Sequence, residues 1–166
     1  MQHCVPAPLC GSGRDRMMPR LPIVFSFARS GGTLVNQLLG SYPGCLILSE
    51  VNPSASVVSP AEQGYRWLSL ARADEVATMD QLGYARTLFE LHARATDADA
   101  TLLVRDWVTV NFLPETAGDT VKPSGILEQA NYARRAGFEM LPVLITRRAD
   151  AVFESMKRCF SHLATL

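Results

Sequence analysis

The chain has 166 residues, 48% of them hydrophobic, which suits one domain built on one core. Sixteen basic and sixteen acidic residues cancel, which excludes a broad electrostatic grip on nucleic acid. No apolar stretch reaches the roughly eighteen residues needed to cross a bilayer, and the expectation is a cytoplasmic protein that engages neither membrane nor nucleic acid.

The opening residues, rich in Pro, Gly and Arg and without a signal-peptide core, read as a mobile tail over 1–18, with the folded domain over 19–166. Ile23-Val24-Phe25-Ser26-Phe27 then reads as a buried strand that stops at Ala28-Arg29-Ser30-Gly31-Gly32-Thr33. Leu34, Val35, Leu38 and Leu39 follow at helical spacing. A strand running through a glycine turn into a helix aims backbone N–H groups and the positive helix end at one spot, which suits an anion. Gly31 and Gly32 let the backbone approach closely, Thr33 adds a hydroxyl and Arg29 a fixed charge. Neither GxxxxGK[ST] nor a GxGxxG after this strand is present, so the loop is not of the common nucleotide-binding kinds.

A Tyr42-Pro43-Gly44 turn leads to the apolar run Cys45-Leu46-Ile47-Leu48 and then to Glu50. Val51 to Ala61, with Pro53 and Pro60 among serines, reads as a loop over the site. Helical patterns are expected over 62–77 and 81–95, the second with Leu82, Ala85, Leu88, Phe89 and His92 on one face. Thr101 to Val110 reads as a strand carrying Arg105, Asp106 and Trp107. Phe112 to Pro123 reads as irregular, Ser124 as the N-cap of a helix through Arg135, and Gly137 as its stop. Met140 to Thr146 is a last strand ending at Arg147-Arg148, followed by a helix over 149–163 that places Ser155 eight positions after Arg147. Strands alternating with helices predict an α/β fold: a mostly parallel sheet covered on both faces, with binding residues at the strand C-terminal ends.

The RSGGT turn and the later arginine–serine pair, in that order and each on a strand-to-helix turn, resemble the phosphosulfate loop and the 3′-phosphate clamp of the sulfotransferases. The layout is similar to that of tyrosylprotein sulfotransferases and their bacterial relatives. The resemblance covers roughly residues 19–162 and implies a P-loop-like sulfotransferase fold that binds 3′-phosphoadenosine-5′-phosphosulfate (PAPS) and transfers its sulfonate to a hydroxyl or amine, without a metal. It implies that Arg29, Ser30, Gly31, Gly32 and Thr33 hold the phosphosulfate, and that Arg147 and Ser155 hold the 3′-phosphate. It implies Glu50 as general base, with Arg29 and Arg105 stabilising charge at the sulfonate. Many members have Ser or Thr where this chain has Gly32. Members also continue beyond this C-terminus with a glycine- and lysine-containing segment, so the chain reads as truncated.

Cys4, Cys10, Cys45 and Cys159 show no CxxC spacing, and His3, His92 and His162 are dispersed, so free thiols and no metal site are expected. The acceptor, a small molecule or a peptide, stays open, as does homo-oligomerisation. Two alternatives stand beside the enzyme: a non-catalytic nucleotide-binding fragment, and a phosphotransferase with a degenerate phosphate loop.

Overall fold

The computed structural model describes residues 18–27, 29–111 and 126–159. Residues 1–17 of the expected tail, the irregular stretch 112–123, the Ser124 cap, residues 160–163 of the last helix, Cys4, Cys10, His3, His162 and the Cys159 side chain lie outside the described residues.

Strand β1 (Arg20–Ser26) runs between β3 (Thr101–Asp106) and β4 (Glu139–Ile145), and β2 (Cys45–Val51) pairs with the far side of β3. The order is β2-β3-β1-β4 with every pairing parallel. The α/β expectation therefore holds as a four-stranded parallel sheet with helices in the connections. The register sets Val24 beside Arg105 and Ser26 beside Ile145, so the C-terminal ends of β1, β3 and β4 open together. Helix α1 (Gly32–Gly40) follows β1. Helices α2 (Pro60–Arg66), α3 (Val76–Gln81) and α4 (Tyr84–Asp97) link β2 to β3. Helix α5 (Glu128–Arg135) precedes β4, and α6 (Ala149–Cys159) follows it.

Alternate strand residues point to opposite faces. On one face Leu21, Ile23, Phe25, Leu48, Leu102 and Val104 join Leu88, Leu91 and Ala95 of α4, Ala133 of α5 and Phe138 in the main core. Each such Leu contributes about 1.5–3 kcal/mol by leaving water. Buried Val24, Ile47 and Leu103 fall on the other face, where Gly40 of α1 lies against Ile47. Ser26 and Arg105 continue that second face, while Asp106 continues the core face. Strand β4 differs: Leu141, Val143 and Leu144 are exposed. Among the described residues, the cover expected on both faces thus reaches β1 and β3 but not β4. Pro142, unable to donate to a ladder, sits in this end strand.

The expected helix over 62–77 is two helices, α2 and α3, separated by turns. Its start was legible in Ser59-Pro60-Ala61-Glu62: the Ser59 side chain accepts from the Glu62 N–H at 3.1 Å and Pro60 takes the first helical position. Ala61 is therefore helix, not loop. The second expected helix begins only at Tyr84, because Gly83 takes φ 81° and ends the preceding turn. Its buried face runs through Thr87, Leu88, Leu91 and Ala95, leaving Leu82 and Phe89 exposed. The strand expected over 101–110 ends at Asp106 and gives way to a 3-10 turn, Val108–Asn111. Gly137, at φ 86°, ends α5 as expected.

The free edge of β2 is closed by a side chain. The buried Gln63 accepts from the Ser49 N–H at 2.7 Å and donates to the Ser49 carbonyl at 2.8 Å and the Val58 carbonyl at 2.9 Å. A single amide thus does for Ser49 what a neighbouring strand would do. Gln63→Ala should therefore lower stability by about 2–4 kcal/mol, from three bonds lost and backbone groups left buried without partners. Urea unfolding measures it; a loss under 1 kcal/mol would show that water replaces the amide without cost.

Candidate functional site

The β1–α1 turn is held by its own groups. Both the Ser30 hydroxyl, at 2.6 Å, and its N–H, at 3.1 Å, donate to the Phe27 carbonyl. Ser30 is buried and closes the turn; its hydroxyl faces the backbone, not the cleft. Gly31 caps α1 at φ 101°, a conformation that costs a residue with a Cβ more than it costs glycine. It supplies no side-chain cap, and the first turn carries no acidic residue, so no side chain competes for the positive helix end. Arg29 sits at φ 65° and Glu50 at φ 53°. Two non-glycine residues in this sparsely populated region, both facing one cleft, are strain kept by the surrounding packing.

That cleft, of about 370 Å³, is lined by Ser26, Arg29, Gly31, Gly32, Thr33, Glu50, Arg105, Trp107, Arg147 and Ser155, among others. Every candidate named from the sequence except Ser30 lies in it. Arg29 Nε donates to Ser155 Oγ at 3.1 Å, and Arg147 donates to the Arg29 carbonyl at 3.0 Å. The two strand-end motifs, more than a hundred residues apart, therefore touch. Arg148 points elsewhere: its guanidinium pairs with Asp150 at 2.6 Å and is largely exposed. Of the two adjacent arginines, which follow the end of β4, the cleft receives Arg147.

Arg105 enters from β3 with its side chain only 11% exposed. It pairs with Glu50 at 2.7 Å and donates to Ser49 Oγ at 3.3 Å, while its Nε is buried without a partner among the described residues. Its carboxylate partner is thus Glu50 and not the adjacent Asp106. Glu50 lies where the β2–β3 register shifts between Leu48 and Val51, a bulge that turns its carboxylate toward Arg105. The residues around it are pinned: Ser49 by Gln63, and Asn52 by Asp106 at 2.8 Å. On the other side of Glu50 a second cavity of about 460 Å³ opens between α1, β2 and the 57–68 segment, with Asn36, Val57, Val58 and Trp67 among its walls.

Sequence reasoning missed the buried polar network beneath the cleft. Asn52 donates to Asp106 and to Asn111 Oδ1 and Tyr84 donates to Gln129, while at the exposed rim Ser54 donates to Glu128. Burial pushes the Asp106 carboxyl up to about 7, against the opposing bonds from Asn52 and the Trp107 N–H. Asn52-Pro53-Ser54 did carry a signal, an Asx turn in which the Ser54 N–H donates to Asn52 Oδ1 at 3.0 Å. Nothing local pointed to Asn111 or Gln129. Among the described residues, no helix is long and apolar enough to cross a membrane, and no group of three or more His, Cys, Asp or Glu is placed to hold a metal. Cys45 is a free thiol, raised by burial.

No family model matches this chain, and none of the curated proteins compared with it matches. The functional reading rests on the cleft and on the sequence that builds it.

Asp106 also yields a test of the network. Its carboxyl rises on folding from an ordinary value of 3.8 to about 7, so the folded chain takes up a proton that the unfolded chain has released. The resulting stability is full below about pH 4 and lost as pH rises to about 7. Stability should therefore fall by about 1 kcal/mol per pH unit from this group between pH 5 and 7. Asp106→Asn should remove that slope in denaturant titrations across the window; the same slope in both chains would mean that the carboxyl is ionised in the fold.

Proposed function

We propose that this chain is a sulfotransferase domain that binds PAPS and transfers its sulfonate to a hydroxyl or amine. The observation that carries the reading is the meeting in one cleft of the 29–33 turn with Arg147 and Ser155. A cleft with three arginines, the carboxyl groups of Glu50 and Asp106 and an uncapped helix start suits a ligand with two separated anionic groups. The buried, unpartnered Arg105 Nε fits as well, since a guanidinium N–H without an acceptor is costly unless an anion supplies one.

When bound, PAPS supplies a sulfonate activated by its phosphosulfate linkage. The N–H groups at the start of α1, with Arg29 and Arg105, would hold the phosphosulfate end and the charge that develops there. Arg147 and Ser155 would hold the 3′-phosphate, exchanging their contacts with Arg29 for contacts with the ligand. Glu50 borders both cavities, so an acceptor in the second one can present its hydroxyl or amine to the carboxylate. Glu50 would take that proton as general base. Its ion pair with Arg105 couples the base to the group that faces the sulfonate. The sulfotransferase variant of the P-loop-like fold is part of the same proposal.

Titration with adenosine 3′,5′-bisphosphate against ATP with magnesium tests the reading directly. The chain should prefer the 3′-phosphorylated ligand; preference for magnesium-ATP would make it a phosphotransferase, and binding of neither would reject an adenosine nucleotide site. The Arg147→Ala, Ser155→Ala double variant should lose about 1–3 kcal/mol of preference for the bisphosphate over adenosine 5′-phosphate, because the contacts are charge-assisted but exposed. Equal loss for both ligands would place the pair away from the 3′-phosphate.

Glu50→Gln should separate binding from chemistry. The amide oxygen still accepts from Arg105, while the base is gone, so turnover should fall about a hundredfold or more. Affinity for the bisphosphate should hold or tighten, since Arg105 loses its competing carboxylate. Turnover within a few-fold of the wild type would return Glu50 to an ion-pairing role.

A further inference from the structure

The side-chain place of Gly32 is already occupied. A Cβ built there would overlap Ser26 Oγ and lie 3.0 Å from Ser26 Cβ and 3.1 Å from Arg105 Nε. Gly32 is buried in the first turn of α1, and its φ is not in the left-handed region. Glycine at 32 is therefore a matter of space and not of backbone freedom, and what takes the space is the Ser26 hydroxyl. Ser26 is buried at the end of β1, lines the cleft and makes no side-chain hydrogen bond among the described residues. Arg105 Nε, buried and without a partner among the described residues, borders the same place. A hydroxyl and a guanidinium N–H, each able to donate and each without an acceptor, thus converge beside the N–H groups that open α1. An anion in the cleft would give both donors an acceptor.

We propose that Ser26 is an anion-binding residue of this cleft: its hydroxyl donates to the 5′-phosphosulfate end of the donor, in the space that a hydroxyl-bearing side chain at position 32 would otherwise fill. The proposal rests on the reading of the cleft as a PAPS site and assigns a residue that the loop motif does not contain. Strand geometry makes it specific to Ser26. Val24, two residues earlier on the same face, is buried, and Phe25 faces the core by alternation. A hydroxyl anchored on a strand loses little freedom on binding, since its backbone is already fixed by pairing on β4.

The test compares adenosine 3′,5′-bisphosphate with adenosine 3′-phosphate by calorimetry, so that the readout is the increment due to the 5′-phosphate. Ser26→Ala should cut that increment about tenfold, the worth of one hydrogen bond to a charged group, and leave adenosine 3′-phosphate affinity unchanged. Gly32→Ser alone should lower the melting temperature, because its side chain collides with Ser26. The exchange variant Ser26→Gly, Gly32→Ser should recover both the melting temperature relative to Gly32→Ser and the 5′-phosphate increment relative to Ser26→Gly. A wild-type chain that binds the bisphosphate while Ser26→Ala binds it equally well overturns the role of Ser26 and leaves the cleft reading intact. A wild-type chain that binds neither nucleotide overturns the cleft reading and this one together. Melting of the Gly32→Ser and exchange variants is read without ligand; if Gly32→Ser is not destabilised, the either-or packing is wrong.

Discussion

Everything in this protein hangs on β1 being paired on both sides. Its parallel registers with β3 and β4 set Val24 beside Arg105 and Ser26 beside Ile145, so the ends of the three strands lie close together. Parallel strands end in loops that all open on the same side of the sheet, and the cleft is the place where three of these ends meet. The same pairing decides which way each side chain points. Leu21, Ile23 and Phe25 go into the main core, so Val24 and Ser26 must go to the other face. Shift β1 by one residue and the cleft would receive Phe25 while the core received Ser26.

Within that frame, Arg105 is the most demanding group. A guanidinium so little exposed must find acceptors, and Glu50 and Ser49 supply two while Nε remains without one. Glu50 can reach it only through a bulge and a positive φ. The structure keeps this strained residue between two buried side-chain amides, Gln63 bonded to Ser49 and Asn52 bonded to Asp106. Holding a carboxylate in one orientation beside a cation is preorganisation, in which the fold meets the cost before any ligand arrives. Under the sulfotransferase reading, that is the arrangement a general base next to an anionic donor requires.

The edges of the sheet show contrasting solutions. At β2 the free backbone groups of Ser49 are met by Gln63, so at that residue the edge has nothing left to offer a passing strand. At β4 the end strand carries a proline and exposed leucines and valine. The first edge is closed because α2 starts at Ser59-Pro60, which directs Gln63 back toward β2. A capping signal in the sequence thus has a consequence for the cleft some ten residues earlier in the chain.

What the sequence by itself determined are the features written in local periods and local chemistry. The apolar runs of β1, β2 and β4, the glycine turn into α1 and the stop at Gly137 follow from alternation, helical spacing and backbone freedom, and the eight-residue spacing to Ser155 singles out Arg147 over Arg148, all readable within a dozen residues. So does the grouping of candidate residues at strand ends, because an α/β pattern places them there. Tertiary structure alone decided the rest. That Arg105 pairs with Glu50 and not with Asp106, and that Asp106 lies in a buried amide network with Asn52 and Asn111, depend on contacts between segments far apart in the chain; the inward turn of Ser30 onto the Phe27 carbonyl and the Ser26 hydroxyl in the side-chain place of Gly32 are near in sequence but are set by the folded turn. Such contacts carry no local period; they exist only once the sheet register has set which atoms share a space too small for more than one of them.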